Sequence, residues 1–499
     1  MADLPAPLDP AEALSRAAEA APLLAALPRA RRAAAMVAAA DALQAAGDEL
    51  IPIGARETGL PTARLTGELR RTAVQLRLLA DVAADGTALD VRLDEADPGF
   101  ALGPRPDLRR TRVPLGPALV FAAGNFPFAF SVAGGDTAAA LAAGCPVVVK
   151  AHPGHPELSR RTAAIVAGAL AAAGLPTASL QLIEGEEAGV AALRDPRTAV
   201  ASFTGSVRGG QALAAIAAGR ARPIPFYGEL GSVNPVFVTA AAAAERGEAI
   251  ADGFVASVSG SAGQLCTKPG FLLVPEGHGL DDRIAEAAGA VAGQRLLSAP
   301  ISAGYASRRD EILGADGVRV LADGGVEVGA DGVAVATPTV VAIGLGALVS
   351  GREHLLDEAF GPLSVVVTVP RGTPLTAAAA LFPGVLAAGV HLGAAERGEP
   401  DDAVRDLVAA LTASAGRVLF DGWPTGVAVT PAMQHGGPWP STTADATSVG
   451  TDAIGRYQRA VAYQDAPAWL LPDELRDGAD VPQALSPAGA SAEWGARFR

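Results

Sequence analysis

The chain has 499 residues, half of them apolar and 18% charged, which is long enough for several folding units with large cores and too apolar for general disorder. Its 39 basic against 53 acidic side chains leave a net charge of −14. That argues against a nucleic-acid or anionic-membrane partner, because such binding needs dense Lys and Arg. Two cysteines, Cys145 and Cys266, are too few for a disulfide framework or a Cys-based zinc site and fit a reducing, cytoplasmic home.

The opening MADLPAPLDPAEA carries acids and no basic segment, so no signal peptide is expected. Apolar runs such as 163–175 are too short and alanine-rich to span a bilayer. Residues 9–47 predict two helices separated by Pro28, the first opened by Asp9 with Pro10 at its first helical position. A third helix is predicted from about 62 to 84. Residues 88–116, irregular and charged, are expected to hold a projecting hairpin. From Ala118 the texture changes: apolar runs at 118–124, 146–150, 179–185, 198–205 and 223–230 alternate with helical stretches near 131–143, near 156–173 and after Val207. Such alternation signals a parallel sheet with helices on both faces. A second α/β stretch begins near Gly231, with strands at 234–238 and 270–274 and a long helix between them, and ends near 418–420. The tail beyond Trp423 is loop-like, apart from a strand at 459–464.

Several familiar site motifs are absent. There is no G-x-G-x-x-G after a strand, no phosphate-binding Walker A loop, no G-x-S-x-G and no H-E-x-x-H. His152 and His155 in KAHPGHP read as a turn after a strand rather than a metal pair, and no metal is expected. Cys266, in SAGQLCTKPG, lies in a small, glycine-flanked turn that a substrate can reach, whereas Cys145 enters an apolar strand and reads as a small buried hydrophobe. Glu229 closes the run PIPFYGEL and Asn125 sits in FAAGNFPF, both at strand ends, where ligands bind in parallel sheets. Each has an alternative as a solvated or turn-capping residue. Lysine occurs only twice, at positions 150 and 268, in a chain whose other basic residues are all arginine.

GNFPF (124–128), VVVKAHP (147–153), SFTGS (202–206), GELGSVNP (228–235), GQLCTKPG (263–270) and EAFGP (358–362) stand in the order of the aldehyde dehydrogenase superfamily. With HGGPWPSTT and the ending VAYQDAPAWLLP, the chain most resembles the 2-oxoglutarate semialdehyde (2,5-dioxovalerate) dehydrogenases, a branch similar to bacterial NADP-dependent fatty-aldehyde dehydrogenases. The resemblance implies an α/β fold with a Rossmann-like cofactor domain (1–102 and 117–229) and an α/β catalytic domain (230–422). It also implies a small β oligomerisation element (103–116 and 456–466), with 423–455 and 467–499 as loop and tail. It implies a homodimer or homotetramer. It makes Cys266 the nucleophile that forms a thiohemiacetal and then a thioester, Asn125 with the Cys266 amide the oxyanion hole, and Glu229 the base that activates water. Lys150 is expected at the adenosine ribose, Gly205 and Ser206 at the pyrophosphate, Glu358 at the nicotinamide ribose and Phe360 beside the ring. Lys268 receives no role.

The family's NAD-preferring members often carry a glutamate three positions after the lysine. Here that position is Pro153, so NADP is favoured, with NAD open. Arg71 and Gln75 on the third helix are candidates for a substrate's far carboxylate, and Phe126 and Trp439 for tunnel walls; a solvated helix face and ordinary apolar packing are the plain alternatives. Competing functions are a medium- or long-chain fatty aldehyde dehydrogenase, a non-redox cysteine acyl hydrolase, for which no histidine partner is evident, and a non-catalytic protein keeping the fold.

Overall fold

The computed structural model describes residues 7–496, so positions 1–6 and 497–499 of the expected outer ranges lie outside the described residues. Two parallel sheets dominate. The first has five strands in the order Leu180–Ile183, Val147–Lys150, Ala118–Phe121, Val200–Thr204 and Phe226–Glu229. Every pairing in it is parallel. The three strands Ala118–Phe121, Val147–Lys150 and Leu180–Ile183 are apolar and buried almost throughout, as strands covered on both faces must be. The chain starts at Ala118–Phe121, steps outwards to one side, then returns to build the other. The crevice at the carboxyl ends on either side of that reversal is where such sheets bind ligands. Lys150, Gly205 and Glu229 all lie at this edge.

Four helices pack on this unit: Pro10–Ala25, Arg29–Ala45, Gly47–Thr58 and Thr62–Asp85. The Asp9 carboxylate caps the first by accepting the amides of Ala11 and Glu12 at 2.9 and 3.2 Å. The third is one more than the sequence led us to expect. Helix Thr62–Asp85 buries Leu65, Leu69, Leu76 and Leu79 at helical spacing, each worth about 1.5–3 kcal/mol when removed from water. The same buried face carries Glu68, Thr72 and Gln75. Polar side chains inside an apolar stripe must find partners or face a cavity, and this stripe faces the site.

The second sheet has seven strands in the order Arg319–Ala322, Thr339–Gly344, Leu363–Val369, Phe271–Pro275, Pro235–Val238, Val385–His391 and Ala415–Phe420. Only the first of these runs antiparallel to its neighbour. A side sheet of three short strands, Gln294–Arg295, Ala334–Ala336 and Val326–Val328, extends this unit.

The small β element is larger than 103–116 with 456–466. Its four strands are Gln458–Gln464, Leu108–Pro114, Val91–Asp94 and Gln483–Ser486. Val91–Asp94 therefore leaves the expected cofactor range, and the 467–499 tail contributes a strand that pairs parallel with it. Trp494 of the tail sits edge-on against Phe100, ring centres 5.7 Å apart. Among the described residues no helix is long and apolar enough to cross a membrane.

Candidate active site

A pocket of about 460 Å³ opens between the two sheets. Asn125, Gly205, Ser206, Glu229, Cys266, Glu358 and Phe360 all line it. Seven of the residues singled out from sequence thus converge from five separate segments.

Cys266 is delivered by an abrupt turn. Helix Ala240–Ser259 ends, and Ser261, Ala262 and Gly263 follow with φ of +53°, +54° and +66°. A Cβ at Gly263 would stand 2.3 Å from the Gly361 carbonyl oxygen, so the close approach of these two loops needs glycine there. The segment beyond is stapled by Asn234, whose Nδ2 donates to the carbonyls of Cys266 at 2.8 Å and Lys268 at 3.0 Å. Its Oδ1 accepts from Ser232 and from the Ala387 amide. The Cys266 amide finds no acceptor among the described residues.

Cys266 Sγ lies 3.5 Å from His435 Nε2, and that same nitrogen lies 3.0 Å from Glu229 Oε1. This distance is within ion-pair range, yet Oε1 makes no well-aligned hydrogen bond among the described residues. The other carboxylate oxygen, Oε2, accepts from Ser448 Oγ at 2.5 Å. Burial by itself would raise the Glu229 carboxyl; the imidazole of His435 close by, aided by Ser448 and Cys266, outweighs it and holds the group below the usual range. The Cys266 thiol moves the opposite way. Burial, then the neighbouring Glu229 carboxylate, push it well above its ordinary value, with Arg71 opposing. A resting thiol beside an ionised carboxylate has a base within reach but is not itself a thiolate.

Asn125 Nδ2 donates to the Gln264 carbonyl at 3.0 Å, which fixes the amide and leaves its second N–H uncommitted. Helix Thr62–Asp85 holds the Asn125 loop. Glu68 Oε1 accepts the amides of Phe128 and Ala129 at 2.7 and 3.0 Å, and Arg64 donates to the Asn125 carbonyl at 2.5 Å.

Arg71 and Gln75 lie on the same helix. Arg71 has Nε and Nη2 buried without a partner among the described residues, and so are both polar atoms of Gln75. The Arg71 guanidinium rests 5.7 Å from the Phe126 ring centre and 5.3 Å from that of Phe130. Burial lowers its pKa, while the charges of Glu68, Cys266 and Glu229 act against that shift, so its charge is felt at both reactive groups. Gln75 sits against Gly135. Trp439 is 59% exposed, and like Arg71, Gln75 and Phe126 it is not part of the lining of this pocket. The carbonyls of Pro438 and Trp439 press against Gly384, so the loop buries its backbone there and turns the indole outwards.

His435 is the residue that the sequence reading missed, and no histidine partner for Cys266 had been evident. Its signal was present in HGGPWPSTT, a lone histidine before a run of glycine and proline, but nothing local ties it to a cysteine 169 residues away. His152 and His155 stack with ring centres 5.4 Å apart. Both nitrogens of His155 are engaged, by Ser159 and by the Ala123 carbonyl.

The sequence profile of the aldehyde dehydrogenase family matches residues 7–391. The chain belongs to this family. It is 42% identical over 460 residues to alpha-ketoglutaric semialdehyde dehydrogenase 2 of Azospirillum brasilense, covering 90% of this chain and 85% of that protein. It is 40% identical over 436 residues to the alpha-ketoglutaric semialdehyde dehydrogenase of Acinetobacter baylyi, covering 87% and 82%. An NAD-dependent aldehyde dehydrogenase of Sinorhizobium meliloti superimposes with a TM-score of 0.76 at 26% identity, covering 93% of this chain and 88% of that one. The protein is an oxidoreductase that converts an aldehyde to the carboxylate with NAD(P).

The cleft of this aldehyde dehydrogenase fits such a dinucleotide. Ser206 caps helix Val207–Ala218, and the amides of Val207 and Arg208 point out of its N-terminus without a partner among the described residues, as an anion requires. A Cβ on Gly205 would meet the Phe203 ring at 2.5 Å, and one on Gly231 would meet Glu358 Oε2 at 2.5 Å. Backbone alone lines the cradle at both points. Glu358, pushed up to about 7 by burial with Lys268 opposing, and Phe360 stand at the inner end. Lys150 lies farther out. Its stem crosses Gly189, and burial lowers its ammonium while Glu186 opposes the shift.

Proposed function

We propose that the protein oxidises 2-oxoglutarate semialdehyde (2,5-dioxopentanoate) to 2-oxoglutarate, with Cys266 as nucleophile. The observation that carries this reading is the meeting of Cys266, Glu229 and Asn125 in one pocket, with His435 Nε2 beside both Cys266 Sγ and Glu229 Oε1, and with the idle Nε and Nη2 of Arg71 on the neighbouring helix. The aldehyde carbon bonds to Sγ as the thiol proton passes to the imidazole–carboxylate pair of His435 and Glu229. The resulting oxyanion accepts hydrogen bonds from the Cys266 amide and the free N–H of Asn125 Nδ2. Bound NAD(P) supplies the two-electron acceptor for the hydride lost from the aldehyde carbon. The thioester left on Cys266 is attacked by a water that gives its proton to Glu229, and the thiol departs with a proton to complete the cycle. Hydrogen bonding to Ser448 keeps Glu229 aimed without using Oε1.

Arg71 supports a substrate with a far carboxylate, because a buried guanidinium with two idle donors gains most from an anion. The names of the two relatives agree with that class. For the dinucleotide, Pro153 offers no carboxylate against a 2′-phosphate, which supports NADP. Glu186 opposite Lys150 supports continued use of NAD.

The test is a panel of aldehydes with NAD and with NADP, repeated on Arg71→Ala. Loss of a charged hydrogen bond worth about 1.5–3 kcal/mol should raise KM for the semialdehyde roughly 10- to 100-fold and leave a plain alkyl aldehyde nearly unaffected. Equal losses on both substrates would remove Arg71 from recognition. A preference of the wild type for long alkyl aldehydes would favour the fatty-aldehyde reading.

A further inference from the structure

Cys266 Sγ, His435 Nε2 and a Glu229 carboxylate oxygen all lie within 4.8 Å of one another. Sγ and Nε2 are 3.5 Å apart, and Nε2 and Oε1 are 3.0 Å apart. A zinc ion holds sulfur at about 2.3 Å and imidazole nitrogen or carboxylate oxygen at about 2.0–2.2 Å, so neighbouring donors in a tetrahedral shell stand roughly 3.4–3.6 Å apart. The sulfur–nitrogen separation falls in that range, and the nitrogen–oxygen separation is about 0.4 Å shorter, an opening that a small turn of the Glu229 carboxylate supplies. One thiolate and one carboxylate together balance the ion's double charge, and the imidazole completes a borderline-soft donor set of the kind zinc selects.

The surroundings favour such a site. Ser448 Oγ holds the non-ligating oxygen of Glu229, and Phe130 sits edge-on to the His435 ring at 6.2 Å, so two of the three donors are already oriented. Cys266 and Glu229 face the pocket of about 460 Å³, which gives an ion a way in and leaves its fourth position open. Arg71, whose charge reaches both groups, works against a cation and limits affinity.

We propose that Cys266, His435 and Glu229 form a zinc-binding inhibitory site, in which Zn²⁺ takes the place of the thiol proton and occupies the sulfur lone pair. The proton leaves to solvent, no electrons are transferred, and a chelator reverses the binding. That zinc inhibits rests on the reading of Cys266 as nucleophile; that it binds does not.

The experiment therefore measures binding and activity separately on the full-length enzyme. Zn²⁺ is titrated under a competing chromophoric chelator, Co²⁺ is substituted to look for a sulfur-to-cobalt charge-transfer band, and aldehyde oxidation is followed at each free-zinc level. The expected result is one equivalent of metal per chain, a thiolate–cobalt band, and activity lost in step with occupancy and regained with EDTA. His435→Asn should weaken zinc binding at least tenfold, and Glu229→Gln should also weaken it. No stoichiometric metal or no charge-transfer band in the wild type overturns the site whatever the variants do. Unchanged affinity in a folded His435→Asn overturns it too, by reducing it to the thiol alone. Tight, His435-dependent zinc with undiminished turnover upholds the binding site and overturns both the inhibition and the role of Cys266 as nucleophile.

Discussion

Each wall of the cleft carries one of the chain's two lysines, and the two are held in opposite ways. On the wall built from the five-stranded sheet, Lys150 ends its strand half-buried, and its ammonium makes no hydrogen bond among the described residues. On the opposite wall Lys268 is 2% exposed and donates to the carbonyls of Ala359 at 2.9 Å and Leu363 at 2.6 Å. Asn234 and Gln264 bind the same wall together. The nucleophile side is thus fixed before any ligand arrives, while the first wall keeps its donors free at Lys150, Val207 and Arg208. Reacting atoms need a geometry held to fractions of an ångström, whereas donors meant for a ligand lose their use if the protein has already satisfied them.

The largest effect should come from the fixed wall. Cys266→Ala should abolish aldehyde oxidation and leave the dinucleotide Kd as it was, since only Sγ bonds the substrate. Parallel calorimetry and turnover assays check this, and near-normal turnover would break the contrast at its root. Cys145 gives a control. Burial pushes its thiol up to about 11, the same direction as Cys266, yet its Sγ meets backbone groups, the Tyr457 carbonyl at 3.3 Å and the amides of Leu115 and Gly116, rather than a carboxylate or an imidazole. A raised thiol pKa therefore does not mark a nucleophile; the neighbouring carboxylate and imidazole do.

Asn125→Ala comes next. Removing one oxyanion donor costs about 2.7–4 kcal/mol of barrier, or roughly 10²–10³ in kcat. The thermal midpoint should move little, because Glu68 and Arg64 still hold the loop through its backbone. An unchanged kcat in a regime limited by the chemical step would make Asn125 a turn residue.

Much of this was legible in the sequence, for a physical reason. In a parallel sheet the ends of strands are ligand-facing, so Asn125 and Glu229 could be placed from local patterns of apolar run and breaker, whereas Lys150 and Gly205 followed from the resemblance of VVVKAHP and SFTGS to the family's motifs. What could not be read depends on closure over long distances. His435 sits in an irregular loop and reaches Cys266 only when the tail folds back. Gln483–Ser486 is four residues long and a strand only because it finds Val91–Asp94 at the other end of the chain, whereas Val91–Asp94 also pairs antiparallel with Leu108–Pro114 inside the stretch where a hairpin is expected. Gly47–Thr58 was missed because Pro52 lies inside it, a residue that ordinarily argues against a helix interior.

Lys268→Met probes the join between the two walls. Burial raises the Glu358 carboxyl and the Lys268 ammonium opposes that rise. Removing the ammonium lets the carboxyl titrate higher still, so that at neutral pH it is protonated and accepts a ribose hydroxyl less well. The dinucleotide Kd should rise about tenfold, equivalent to roughly 1.4 kcal/mol. Affinity in the variant should recover as pH rises and Glu358 ionises, more steeply than in the wild type. A Kd raised equally at every pH would make Lys268 a structural tie and nothing more.

Pro153→Glu should give the smallest effect, on the loosely held wall. Position 153 is exposed, three residues beyond Lys150. A carboxylate there would repel a 2′-phosphate and accept hydrogen bonds from an unmodified ribose diol, so attraction and repulsion both favour NAD. Because the site is solvated, the change should be near the top of the range for exposed charge pairs, about 1 kcal/mol or roughly fivefold in the NAD to NADP affinity ratio. The shift should shrink as salt is added, since screening acts on exposed charges. Binding of 2′,5′-ADP against 5′-AMP measures this without turnover. A ratio that stays fixed at low salt would mean that the 2′-position faces Glu186 rather than Pro153, and that the helix Glu186–Arg194, not the turn after Lys150, sets the choice of dinucleotide.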